Sequence, residues 1–96
     1  MRREEALRRL AEHRDELAAM GADSLSLFGS VARDEARPDS DIDILIQFDR
    51  PLSLFDLGRI QVRLEEILGH QVDLVMPEGL RPRLRARVLS EAIRAT

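Results

Sequence analysis

The sequence lacks cysteine altogether, which excludes a small fold held together by disulfides. It also lacks an early segment in which a basic start precedes a long apolar run, the pattern of a secretory signal. Its strongly apolar segments are only a few residues long, whereas a membrane-spanning helix needs about 20. These absences predict a cytoplasmic protein that does not enter a membrane.

The chain also lacks an excess of positive charge. The 15 basic residues are outnumbered by 18 acidic ones, giving a formal net charge of −3. Non-specific binding of nucleic acid requires a positively charged surface, so nucleic acid is not expected as the primary ligand. Lysine is absent and every basic residue is an arginine, a bias from which we infer no function.

A chain of 96 residues, 44% of them hydrophobic, can bury a modest core of its own but leaves no room for a second domain. We therefore expect one domain over residues 1–96. A large substrate pocket would have to be shared with a partner or stay open.

The apolar periodicity predicts an α/β fold, or α+β by the stricter definition, with a small mixed sheet and helices packed on one of its faces. The predicted strands cover residues 24–28, 41–48 and 71–76. Four helices are predicted, of which the first covers residues 2–20 and the second is short and capped by Ser30. The third ends at Gly69 and has an apolar face formed by Leu57, Ile60, Leu64, Ile67 and Leu68. The closing helix packs on the same core through Leu84, Val88, Leu89 and Ala92. Core positions are also expected for Phe28, Phe48 and Phe55.

Two aspartates alternate with isoleucines in the second predicted strand. Asp41 and Asp43 therefore project from one face of that strand, with Cα atoms about 7 Å apart. A neighbouring third strand in suitable register would add Asp73. Three carboxylates suit a hard divalent cation, although an Asp-x-Asp pair by itself fits solvated or turn-capping aspartates at least as well.

A second candidate element is the turn at Gly29 and Ser30, which joins a strand to a helix start. Free backbone N–H groups at such a turn favour an anion, and glycine allows a phosphate to approach the backbone closely. An ordinary glycine turn with a serine cap explains the same two residues, so the turn alone does not identify a phosphate site.

The spacing of these elements resembles a known signature. Residues 29–33 (Gly-Ser-Val-Ala-Arg) followed by residues 35–43 (Glu-Ala-Arg-Pro-Asp-Ser-Asp-Ile-Asp) resemble that of the polymerase-beta-type nucleotidyltransferase superfamily, and in particular its minimal nucleotidyltransferase branch. The likeness extends to residues 48–49, 54–57 and 72–75 and to the arginine-rich end. It therefore covers nearly the whole chain.

This resemblance implies a metal-dependent transfer of a nucleotide. The triphosphate of ATP would be bound by Gly29, Ser30, Arg33 and Ser40. Two Mg²⁺ ions would be bound by Asp41, Asp43 and Asp73. Asp73 would also serve as base for the acceptor hydroxyl, and pyrophosphate would leave in an in-line displacement.

One position departs from the family pattern, because Asp34 stands where a glycine is usual. A carboxylate facing the triphosphate would weaken nucleotide binding, and loss of glycine would restrict the turn. If the side chain faces solvent instead, activity is unaffected.

In the branch that the sequence resembles, the acceptor is a tyrosine of a helical HEPN-domain ribonuclease toxin, and the transferase is its antitoxin. The resemblance thus implies AMP transfer to such a partner, and the two chains could form a hetero-oligomer. The alternative is a catalytically silent binding module that neutralises its partner by occlusion. Changing Asp41 and Asp43 to asparagine would distinguish the two, because only the enzyme needs the carboxylates.

Overall fold

Four strands form the sheet in the computed structural model, which describes residues 1–96. They are β1 (Ala22–Phe28), β2 (Ile42–Phe48), β3 (Val72–Val75) and β4 (Ile93–Arg94), in the order β3-β2-β1-β4. β1 is antiparallel to β2 and β4, whereas β3 is parallel to β2. The predicted small mixed sheet is confirmed, but the count of three strands is wrong. β4 has only two residues, too few for an alternating pattern to be visible.

The chain also forms five α-helices: α1 (Arg3–Glu12), α2 (Arg14–Ala19), α3 (Gly29–Ala32), α4 (Leu54–Leu68) and α5 (Pro82–Glu91). A short 3₁₀ turn covers Pro77–Gly79. Helices long and apolar enough to cross a membrane are not found among them.

The opening helix is interrupted, contrary to the prediction of one helix over residues 2–20. α1 ends before His13, whose φ of −109° and ψ of 17° are not helical, and α2 starts at the next residue. The His13 Nδ1 atom lies 2.8 Å from the Arg9 carbonyl oxygen. Leu10 and Leu17 are both fully buried, and their spacing of seven residues also fits a continuous helix. The periodicity therefore could not reveal the break.

The hydrophobic core lies between one face of the sheet and the helices α1, α2 and α4. Its sheet side consists of alternate residues of the two central strands, namely Leu25, Leu27, Ile42, Ile44 and Ile46. Its helix side includes Leu10, Leu17, Ile60, Leu64 and Leu68. The predicted one-sided arrangement is confirmed, and it leaves the aspartates of β2 on the other face.

Three expected core positions, Leu84, Leu89 and Phe55, are wrong. Leu84 and Leu89 of α5 are 47% and 46% exposed, and only Val88 of that helix is buried. Phe55 is 85% exposed, because five residues before Ile60 place it about 140° away from the buried face of α4. Phe28 and Phe48 are partly buried.

Side chains of α4 hold the edge strand β3 in place. The Val72 N–H donates to Glu65 Oε2 over 3.0 Å, and Gln61 Nε2 donates to the Val72 carbonyl oxygen over 3.2 Å. As an edge strand, β3 would otherwise leave these backbone groups without a partner in the sheet. The two bonds therefore help to fix where Asp73, the next residue, lies.

Candidate active site

The parallel pairing of β2 and β3 brings two of the predicted aspartates together. Asp43 and Asp73 are direct partners in the register, and neighbouring strands lie about 4.8 Å apart with paired side chains on the same face. Asp41 immediately precedes β2, two residues before Asp43 and on the same side. Asp41 and Asp73 are exposed, whereas Asp43 is partly buried.

The three carboxylates are coupled electrostatically through Asp43. Burial raises the pKa of Asp43 above its ordinary value, and the negative charges of Asp73 and Asp41 raise it further, while Arg33 acts in the opposite direction. Like charges held this close destabilise the ionised form. A cation placed among them would remove that cost.

The aspartates are neighbours rather than a preassembled metal cage. Among the 96 residues, no three histidine, aspartate or glutamate side chains converge closely enough to hold a metal ion without further ligands. Magnesium, however, is usually bound through one or two protein carboxylates, with waters and substrate phosphates supplying the remaining oxygens. The pair Asp43 and Asp73 fits that requirement in both donor chemistry and placement.

The turn at Gly29 and Ser30, the candidate phosphate site, lies directly against Asp43. The φ of Gly29 is +70°, and a Cβ atom at this position would lie 2.2 Å from Asp43 Oδ2. Glycine is therefore required both by the left-handed backbone and by the carboxylate that occupies the space beside it. The turn and the aspartates form one site.

The predicted capping role of Ser30 is wrong. α3 begins at Gly29, its N-cap is Phe28 without a side-chain bond, and Ser30 is the second helical residue. α3 has only four residues, so its dipole is small. Its first backbone N–H groups, which have no acceptor within the helix, remain as donors for an anion.

Arg33 and Ser40 already have partners within the protein. Arg33 Nε lies 3.3 Å from Glu35 Oε2, and its Nη1 lies 3.4 Å from Glu91 Oε2 on α5. Ser40 Oγ accepts from the Arg37 N–H over 3.0 Å. The role of Glu91 could not be found from the sequence, since no local pattern links positions 58 residues apart.

Asp34 faces away from the site, towards α1. Its φ of +59° explains why glycine is usual at this position, and aspartate tolerates such a backbone better than most residues. Its Oδ1 accepts from the Arg3 N–H over 2.9 Å. Arg2, the N-cap of α1, makes no side-chain cap bond. The Asp34 carboxylate therefore caps this helix instead, although it lies 31 residues away in the sequence.

Substitutions of Asp34 should therefore affect stability rather than transfer. Asp34→Ala loses the cap bond and keeps the strained backbone, so we expect a loss of about 1–2 kcal/mol. Asp34→Gly loses the bond but relieves the strain, so its stability should stay within about 0.5 kcal/mol of the wild type. Chemical denaturation of both variants measures this difference, and equal losses would show that the left-handed backbone carries no cost here.

Comparisons with known proteins identify the family to which the chain belongs. The family model for the nucleotidyltransferase domain matches residues 7–95. Protein adenylyltransferase MntA of Thermococcus cleftensis is 39% identical over 85 residues, which cover 88% of this chain and 86% of the relative.

Solved structures agree with these sequence matches. A structure described as a "putative minimal nucleotidyltransferase" superposes with a TM-score of 0.83 and 47% identity, covering 97% of this chain and 95% of that chain. A chain from the complex of a tri-AMPylated HEPN toxin of Shewanella oneidensis with an MNT antitoxin superposes with a TM-score of 0.64. That match covers 94% of this chain and 71% of the other, and its identity of 19% shows a shared fold alone.

Proposed function

Because the chain belongs to the nucleotidyltransferase domain family, we propose that it transfers AMP from ATP to a hydroxyl of a partner protein. Residues 1–96 then act as one transferase domain. The observation that carries this proposal is the pairing of Asp43 with Asp73 beside the Gly29 turn. A purely structural turn would gain nothing from a partly buried carboxylate whose ionised form is disfavoured.

The aspartates have distinct roles in this proposal. Asp41, Asp43 and Asp73 would hold two Mg²⁺ ions, which supply charge neutralisation at the α-phosphate and the departing pyrophosphate. Asp73 is exposed on an edge strand, where an acceptor hydroxyl can reach it. It takes the hydroxyl proton while the acceptor oxygen bonds to the α-phosphorus and the bond to pyrophosphate breaks.

The triphosphate would lie along the Gly29 turn. Backbone N–H groups of Gly29 and Ser30 donate to its terminal phosphates. Arg33 is nearly half exposed and is held only by carboxylates, so its guanidinium can exchange Glu91 for a phosphate. Ser40 assists by offering its hydroxyl once the turn bond to Arg37 is released.

The relatives suggest the acceptor. The Thermococcus relative is named a protein adenylyltransferase, and the Shewanella structure contains an AMPylated HEPN toxin with an MNT antitoxin. We propose that this chain is likewise an antitoxin, that its partner is a HEPN-domain toxin, and that the acceptor is a tyrosine hydroxyl. The two proteins would form a hetero-oligomer in which the toxin approaches the open, aspartate-bearing face of the sheet.

The test is the intact mass of the candidate toxin after incubation with this chain, ATP and Mg²⁺. We expect a gain in whole adenylate units, and no gain with the variant that carries both Asp41→Asn and Asp43→Asn. Omitting Mg²⁺ should abolish the gain as well, and peptide mapping should place it on tyrosine. A gain that persists in the double variant would refute the site.

A second function is favoured by one observation, namely that three carboxylates are not grouped into a metal site. In that case the chain neutralises its partner by occlusion alone. The same experiment separates the two functions, because an occluding antitoxin binds the toxin without changing its mass. Neutralisation by the double variant would then equal that of the wild type.

A further inference from the structure

Glu91, the last residue of α5, is connected to the proposed triphosphate site through Arg33. Its Oε2 atom lies 3.4 Å from Arg33 Nη1, and this contact joins residues that are 58 apart in the sequence. The other carboxylate oxygen, Oε1, lies 3.8 Å from Arg87 Nε. Glu91 therefore lies between two arginines, of which Arg33 is the one proposed to bind phosphate.

The backbone of Arg33 is fixed to the Gly29 turn. Its N–H donates to the Gly29 carbonyl oxygen over 3.2 Å, and the Glu35 N–H donates to the Ser30 carbonyl oxygen over 2.8 Å. Arg33 also acts on the pKa of Asp43, opposing the rise that burial causes, so its positive charge reaches the aspartates. Rotation of the side chain alone can therefore move the guanidinium from α5 towards the turn.

Glu91 does not stabilise the helix that carries it. The C-terminal end of a helix has a partial negative charge, so a carboxylate in the last turn is unfavourable there. The order of Arg87 and Glu91 is also the weaker one, since a glutamate is better placed four residues before a basic residue than after it. α5 is instead held at its start, where the Arg85 guanidinium donates to two backbone carbonyl oxygens over 3.0 and 3.3 Å. The contact that accounts for Glu91 is therefore the one with Arg33.

We propose that Glu91 is a positioning residue that holds the Arg33 guanidinium against α5 until a nucleoside triphosphate displaces it. This role rests on the proposed function, because it concerns the same triphosphate. In the nucleotide-free chain the guanidinium is neutralised by Glu91 and Glu35. A triphosphate offers it more negative charge and a bidentate contact, and Glu91 keeps Arg87 as its partner after the exchange.

The contacts of Arg33 are weak enough for this exchange. The Arg33 side chain is 46% exposed, and those of Glu91 and Glu35 are 32% and 67% exposed. Ion pairs this exposed contribute little, because solvent screens them. Breaking the pair with Glu91 still reduces the affinity for the nucleotide by the free energy of that pair. Removing the Glu91 charge should therefore strengthen nucleotide binding by about 2–5-fold.

Isothermal titration calorimetry of the full chain with Mg²⁺ and a non-hydrolysable ATP analogue tests this role without the toxin. Glu91→Gln, which keeps the shape of the side chain, should bind the analogue about 2–5-fold more tightly than the wild type. Arg33→Ala should bind it more weakly, and adding Glu91→Gln to Arg33→Ala should change nothing further. The matched control is Glu66→Gln, which removes one charge from another exposed ion pair, with Arg63 on α4. It should bind as the wild type does.

The transfer assay provides a second readout. Glu91→Gln should lower the KM for ATP and leave kcat unchanged, because the released guanidinium strengthens the binding of substrate and transition state alike. A merely structural loss would instead lower kcat by reducing the active fraction and would leave the KM in place.

Equal binding by the wild type and Glu91→Gln would overturn this role while leaving the proposed transferase intact. Weaker binding by Glu91→Gln would also overturn it, since Glu91 would then prepare Arg33 for phosphate instead of withholding it. A gain that persists without the Arg33 side chain would show that Glu91 acts by its own charge and not through Arg33. If neither protein bound the analogue, both this role and the proposed transferase would be refuted.

Discussion

Asp43→Asn is expected to stabilise the metal-free protein at neutral pH while abolishing its transferase activity. The pKa of Asp43 is raised by burial and by the charges of Asp73 and Asp41, so the ionised carboxylate is disfavoured in the folded state. Asparagine has nearly the same shape and no charge, and it removes this cost. It also removes an oxygen ligand of the proposed metal site. Loss of a residue that supports a metal ligand already costs about 10–100-fold in activity, so loss of the ligand itself should cost at least about 100-fold.

The stability gain should depend on pH with a definite sign. A carboxyl whose folded pKa is raised contributes stability that is fully present below its unfolded pKa, about 3.9, and is lost as the pH rises through the folded pKa. The wild type therefore loses this contribution on the way to neutral pH, and the variant does not. The difference in free energy of unfolding should be largest at pH 7 and vanish below about pH 3.5.

Chemical denaturation in the presence of EDTA, repeated across this pH range, measures the effect. Asp23→Asn is the control, because it makes the same substitution at an exposed residue that is not part of the aspartate site. Added Mg²⁺ with a non-hydrolysable ATP analogue should stabilise the wild type more than the Asp43 variant. An Asp43 variant that is less stable than the wild type at neutral pH would show that the ionised carboxylate is not disfavoured in the folded state.

The parts of the site that could be predicted from the sequence are those defined by short-range patterns. Strict alternation around Asp41 and Asp43 gave the strand and the face on which they lie. The register of Asp73 depends on a parallel strand 30 residues away and on the bonds from Gln61 and Glu65 to Val72, which no local pattern encodes. The family resemblance supplied what the alternation could not.

The errors concern elements whose environment is set by tertiary contacts. α5 has helical spacing but lies against α3 rather than on the core, so Leu84 and Leu89 are exposed. From the sequence, Asp34 was expected to weaken nucleotide binding if it faced the triphosphate, because the sequence gives the charge of the side chain but not the direction in which it points. Its bond to the Arg3 N–H spans 31 residues and became visible only in the fold.

Gly29→Ala is expected to be the most damaging single-methyl change in the chain. The φ of +70° costs a non-glycine residue about 1–2 kcal/mol. The new Cβ would also lie 2.2 Å from Asp43 Oδ2 and 3.2 Å from Asp43 Cγ, so the short carboxylate side chain must move. We expect a loss of about 2–4 kcal/mol in total, and transfer activity below detection because Asp43 leaves its place beside Asp73.

The chain contains its own control for the backbone part of this loss. Gly69 has a φ of +71°, and the nearest atom to a Cβ there is Arg9 Nη1 at 4.0 Å. Gly69→Ala should therefore cost only the backbone strain, and the excess loss in Gly29→Ala measures the collision with Asp43. In an Asp43→Ala background the carboxylate is absent, so Gly29→Ala should cost no more than Gly69→Ala does. If Gly29→Ala lost as much stability in the Asp43→Ala background as in the wild type, the requirement for glycine would come from the turn alone. Asp43 would then not be held against the backbone that is proposed to bind the triphosphate.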